Sequence, residues 1–231
     1  MPKSIKKRIS KKTGDTEMEV QERISNLKDT LKERQRTAIK IGAGILIIII
    51  AVVGFFVYSS TSQKKANKLE FEGSKIYYSQ QAQPLNNEEK YIKALETFRK
   101  AYDTKSSPFS LFYIAACYYE LGKYDDTMKI LNDFTRKYPN DTEFIPLVYQ
   151  KMALTYIKKD DLTGAKKALE SLHNLKGDIY KDFALMEYGK LLEKEGKAEE
   201  ARKKYEELAK KFPDSPFIEE VKAKLAEKKE S

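Results

Sequence analysis

Across these 231 residues no catalytic constellation appears. Cys117 stands alone, so the chain can form neither an intramolecular disulfide nor a multi-cysteine metal site. His173 is the only histidine, whereas zinc, haem and histidine-dependent catalysis draw on more parts than one imidazole. The chain carries no G-x-S-x-G, no glycine-rich phosphate loop and no H-E-x-x-H. Its paired acids, Asp125-Asp126, Glu199-Glu200 and Glu206-Glu207, fall where a helix faces solvent. Cys117 sits beside the packing residue Tyr118 and is expected to be a small core or groove residue, and His173 is expected to be a surface or capping histidine. These observations predict a protein without catalysis, cofactor, metal or small-molecule substrate.

What remains for recognition is aromatic and aliphatic. Phe109, Phe112, Ala116 and Tyr119, then Gln150, Leu154 and Ile157, then Met186, Lys190 and Glu193 recur at helical spacing on three segments. If the three helices stand side by side, these positions line one wall. Phe109, Phe112, Tyr119, Leu154 and Ile157 would then make an apolar groove for an extended or helical peptide. Aromatic residues are also the usual anchors of protein interfaces.

Such a wall needs helices in repeated register, and the sequence supplies the repeat. A small residue is followed four positions later by a large one and three later by another apolar one: Ala94, Phe98, Ala101; Thr127, Leu131, Phe134; Ala165, Leu169, Leu172; Ala201, Tyr205, Leu208. The small residue recurs at spacings of 33, 38 and 36. Before the last three units lies a partner helix with Ala115, Ala153 or Gly189 where paired backbones must approach, and Tyr118, Tyr156 or Leu192 three residues on. Gly122, Asp160-Asp161 and Gly196 mark the turns within pairs, and Pro139 and Pro213 end the trailing helices, since proline cannot continue a helix.

A helix–turn–helix of about 34 residues with this punctuation resembles the tetratricopeptide repeat. The resemblance covers roughly residues 66–215, with a capping helix from Pro216 to Lys229. The first unit is irregular, because Gln81–Glu88, containing Pro84, separates its helices. The fold class expected is all-α: one transmembrane helix, then a solenoid of about four repeats in which each pair buries the apolar face of its neighbour.

The transmembrane helix is read from Ile41 to Tyr58, eighteen residues without a charge. With its flanks it meets the ~20 residues that cross a ~30 Å hydrocarbon core. Forty polar residues precede it and Ser59-Ser60-Thr61-Ser62 follows, a pattern expected of an uncleaved anchor rather than a signal peptide. Six Lys or Arg lie in residues 20–40 and four between the anchor and residue 80, which places the N-terminus in the cytoplasm and the repeats across the membrane. The division expected is a basic disordered tail over 1–15, an amphipathic helix over 16–38 opened by a Thr16/Glu19 capping box, the anchor over 39–59 and the repeat domain over 60–231. Val20, Ile24, Leu27 and Leu31 give the amphipathic helix one apolar stripe, suited to a coiled coil, a partner or an anionic leaflet. Net charge is +9, of which residues 1–40 carry +6, so the repeats are nearly neutral and no nucleic-acid partner is expected.

A short tail, one anchor and about four repeats also resemble the YfgM-like ancillary subunits of the bacterial SecYEG translocon, from about Ser25 to Lys229. That resemblance implies an inner-membrane adaptor or chaperone-like protein whose periplasmic repeats meet the Sec translocon, emerging chains and periplasmic chaperones. The phrase KKFPDSPFIEEVKAKL looks like repeat scaffolds of outer-membrane and envelope assembly, and an organellar import receptor with cytosolic repeats is a further alternative.

Overall fold

In a computed structural model of the chain, residues 14–80 and 86–226 are described, without the side chains at 14–17 and 36, and every regular element among them is an α-helix. Residues 1–13 of the expected basic tail, the side chain of Thr16, residues 81–85 of the insertion containing Pro84, and residues 227–231 lie outside the described residues. The chain divides into two compact units, 1–60 and 61–231.

The first helix, α1 (Gly14–Tyr77), runs through three stretches that composition separates. Within the first unit its uncharged stretch is bare: Ile45 to Tyr58 expose their large apolar side chains, Phe56 at 69% and Ile50 at 62%. This one helix is long and apolar enough to cross a membrane.

The second unit is built from α2 (Asn87–Thr104), α3 (Pro108–Glu120), α4 (Tyr124–Lys137), α5 (Phe144–Lys158), α6 (Leu162–His173), α7 (Lys181–Lys194), α8 (Ala198–Lys211) and α9 (Ile218–Ala226). Helices α3/α4, α5/α6 and α7/α8 are tight antiparallel pairs, and each pair packs on the next. The core is accordingly a chain of three clusters. One joins Ile76 of α1 to α2 and α3, the next runs from α3 to α7, and the last holds α7, α8 and α9 together. The residues that punctuate the repeat are its interior: Ala94, Phe98, Ala101, Leu131, Phe134, Ala165, Leu169, Leu172 and Leu208 are fully buried. Helix α9 closes the stack through Val221, also fully buried.

Each pair turns in the same way. Gly122, Asp160 and Gly196 have φ of 69°, 58° and 75°, and the next N–H bonds back to the helix end, Lys123 to Tyr118 at 2.9 Å and Lys197 to Leu192 at 2.8 Å. This is the left-handed helix stop that glycine favours, and Asp is one of the few other residues that tolerates it. The turns are tied to one another: Lys159 pairs with Asp125 of the preceding turn, and Lys194 with Asp160 at 2.5 Å.

Where α1 meets the repeats a carboxylate organises the junction. Ser107 caps α3 by accepting the Ser110 N–H at 3.0 Å, with Pro108 next to it in the first turn. The hydroxyls of Ser107 and of fully buried Ser110 (2.7 Å) both donate to Glu70 Oε1. Glu70→Ala leaves a buried hydroxyl unpaired and removes charge-assisted bonds near a helix N-terminus, so it is expected to cost about 1–3 kcal/mol. Chemical denaturation checks this, and Glu70→Gln should recover part of the loss.

Candidate protein-binding surface

The leading helices α3, α5 and α7 present equivalent positions in register, set by Ala115, Ala153 and buried Gly189, each of which lets its partner helix approach. The structure divides the residues expected to line this wall. Phe112 is 9% exposed, Ala116 1% and Met186 0%, so these three serve the core. Phe112 packs 5.5 Å from Phe144 of the next leading helix, ring centre to ring centre, and half-buried Phe109 lies 4.6 Å from Tyr113. Tyr119, Gln150, Leu154, Ile157 and Lys190 are half-exposed and reach the surface.

Three further observations shape that surface. Lys151 Nζ sits 4.3 Å over the Tyr119 ring and 3.9 Å from Glu120, joining the end of α3 to α5. Burial lowers the affinity of this amine for its proton, against the pull of Glu120. At the other end α9 takes up the wall: Lys190 pairs with Glu220 at 3.2 Å, Lys224 with Glu193 at 2.6 Å, and Met186 shares a cluster with Val221. The accessible part of the wall is therefore the α3/α5 segment, with Tyr119, Gln150, Leu154 and Ile157. Sequence spacing missed Lys151 because its partners come from another helix about thirty residues away. It missed the role of α9 because an amphipathic capping helix carries no mark of the surface it covers.

The chemistry-bearing residues are placed in packing. Cys117 is fully buried, and burial first, then Glu120, pushes its thiol up to about 12. In the folded protein it is expected to resist maleimide and to react only on unfolding, and fast labelling of the native protein would contradict this placement. His173 borders a cavity of about 160 Å³ with Tyr188 and Lys204, its Nδ1 buried without a hydrogen bond and its Nε2 3.7 Å from Glu207. Burial lowers its affinity for a proton, followed by the opposing pull of Glu207 and the push of Lys181, Lys204 and Lys211. The unfolded chain therefore binds this proton more readily, and His173 contributes stability that is lost as pH falls below its unfolded pKa. Among the described residues no three His, Cys, Asp or Glu side chains are grouped as metal ligands. A cleft of about 440 Å³ lies between α2 and the end of α3, lined by Glu88, Tyr91, Ile92, Glu120 and Lys123.

Comparison with known proteins agrees with this architecture. Residues 35–228 match the family described as tetratricopeptide repeat-like domain. No curated protein matches the chain. Among solved structures it is similar to MamA AMB-1, with 15% identity, a TM-score of 0.52, and 70% of this chain and 79% of that one covered. It is similar to MamA MSR-1 at 15% identity and TM-score 0.50, with 71% and 84% covered. The TPR2AB domain of yeast Sti1, solved in a pHSP90 complex, is 20% identical with a TM-score of 0.41, covering 71% and 72%.

Proposed function

This chain belongs to the tetratricopeptide repeat-like domain family, and from that premise we propose that it is a membrane-held adaptor whose repeats bind proteins or peptides. The observation that carries the proposal is the joining, in one chain, of a repeat solenoid to a bare helix apolar enough to span a bilayer. The bilayer covers α1 over residues 39–59, and the solenoid presents its α3/α5 wall to a partner. Six cationic side chains within residues 20–40, against four from the end of the apolar stretch through residue 80, favour a cytoplasmic N-terminus and a periplasmic repeat domain in a bacterial inner membrane. In that setting the partners are components of the Sec translocon, emerging chains and periplasmic folding factors, which makes the function an export adaptor with a chaperone-like contribution. A scaffold of envelope assembly is the second reading, favoured by the C-terminal phrase from Lys210 to Leu225.

The recognition wall comprises Tyr119, Gln150, Leu154 and Ile157, with Lys190 at its edge. Tyr119→Ala with Leu154→Ala is expected to weaken partner binding by tenfold or more, that is, by about 1.4 kcal/mol or more. Both side chains are half-exposed, so the far-ultraviolet dichroism and unfolding midpoint should stay near those of the parent. Undiminished binding by the folded double variant would remove this wall from the proposal.

A further inference from the structure

The segment of α1 ahead of the apolar stretch carries a pattern that membrane crossing does not use. Val20, Ile24, Leu27 and Leu31 are 53%, 48%, 63% and 64% exposed, and they fall on one side of the helix within roughly 60° of arc at 3.6 residues per turn. None of the described residues of the first unit covers them. The charges around this stripe are sorted. Arg23 and Arg34 border it on one side and Lys28 on the other, with Lys32 further round. Glu22, Asp29 and Glu33 take the opposite face, and Glu19 lies on the Arg23 side, away from the stripe, where it pairs with Arg23 at 3.4 Å.

We propose that residues 18–34 dock along an anionic membrane surface, with the stripe sunk between lipid headgroups. The cations then lie level with the phosphates and the carboxylates point to water. The proposal rests on the reading of residues 39–59 as a membrane anchor, which keeps the bilayer within reach and makes docking intramolecular. Four apolar residues are a short stripe for a free helix but suffice for a tethered one. A second copy of the chain fits less well. Two copies anchored in one orientation pair in parallel, and with Ile24 and Leu31 at a and Val20 and Leu27 at d, Arg23 of one faces Lys28 of the other at g–e′. The geometry also supplies a place to bend. Thr30 and Thr37 each donate a hydroxyl to the backbone carbonyl four residues earlier, Asn26 at 2.8 Å and Glu33 at 2.9 Å. Such back-bonding weakens and bends helices, and Thr37 lies between the stripe and the apolar stretch.

The protein has no tryptophan, so a single introduced one reports its own surroundings. Full-length Leu27→Trp and, separately, Phe55→Trp are reconstituted into phosphatidylcholine vesicles and into phosphatidylcholine–phosphatidylglycerol vesicles. Docking predicts that Leu27→Trp emission is blue-shifted and quenched by brominated acyl chains in the anionic vesicles only. Adding Arg23→Glu, Lys28→Glu and Arg34→Glu should abolish the shift. Equal Leu27→Trp emission in the two vesicles, or a shift that instead follows protein concentration as copies pair, overturns the proposal. Phe55→Trp separates this from the anchor: it should be buried and quenched in both lipids. A Phe55→Trp residue exposed to water in both would sink the anchor, and the docking with it.

Discussion

Gly189→Ala is expected to destabilise the repeat domain by about 1–3 kcal/mol, although alanine is the better helix former by about 1 kcal/mol. The reason is the ring behind it. A methyl group at this position overlaps the Tyr205 ring, which is 2% exposed and held between α7, α8 and α9. Such a ring has no room to swing aside in a close-packed interior. Gly189→Val should cost more again. Gly164→Ala offers the comparison: its methyl would lie 2.5 Å from the Tyr156 ring, but Tyr156 is only half-buried and can turn outward. The expected order is Gly189→Val, then Gly189→Ala, then Gly164→Ala, read from urea unfolding midpoints. Because the core is a series of clusters, the Gly189 variants should lose hydrogen-exchange protection over α7 to α9 before α3 to α6. Equal midpoints for parent and Gly189→Ala would mean that α7 and α8 are not packed as described.

The other large effect concerns the bare stretch of α1. Ile48→Arg with Val52→Arg places two charges one turn apart, where each arginine near a bilayer centre costs about 2.5–3.5 kcal/mol. Together they should move the protein from the carbonate-resistant membrane fraction to the soluble one. The repeat domain should remain folded, since neither side chain belongs to any of its core clusters. Retention in the membrane would show that something other than this stretch holds the protein there.

The solenoid was legible because its rule is repeated. Ala94, Phe98 and Ala101, and their equivalents down to Leu208, stand out by spacing, and the same residues fill the interior. The turns were legible for the same reason, and Asp160 adopts the left-handed backbone that Gly122 and Gly196 adopt at the matching position. The wall was legible only in part. Phe112 and Met186 occupy the same register position as Gln150, yet they are buried while Gln150 is half-exposed, because successive leading helices and α9 press on one side of that face. Periodicity specifies a face of a helix but not which neighbour leans on it. Contacts such as Glu70 with Ser107 and Ser110, or Lys151 with Tyr119, join residues some thirty to forty positions apart and follow from no local pattern. Ser59 to Gln63 contains no proline or glycine to stop a helix, and α1 extends to Tyr77.

The most direct test of a membrane-held, protein-binding role is crosslinking of the full-length protein in its native membrane. A photoreactive residue replaces Leu154, and the captured proteins are identified by mass spectrometry. The export-adaptor proposal predicts Sec translocon subunits and periplasmic folding factors, with capture lost when Tyr119→Ala is added. Capture of outer-membrane or cell-wall assembly proteins would move the function to envelope assembly. No capture from Leu154, with the protein folded and in the membrane, would contradict recognition through the α3/α5 wall.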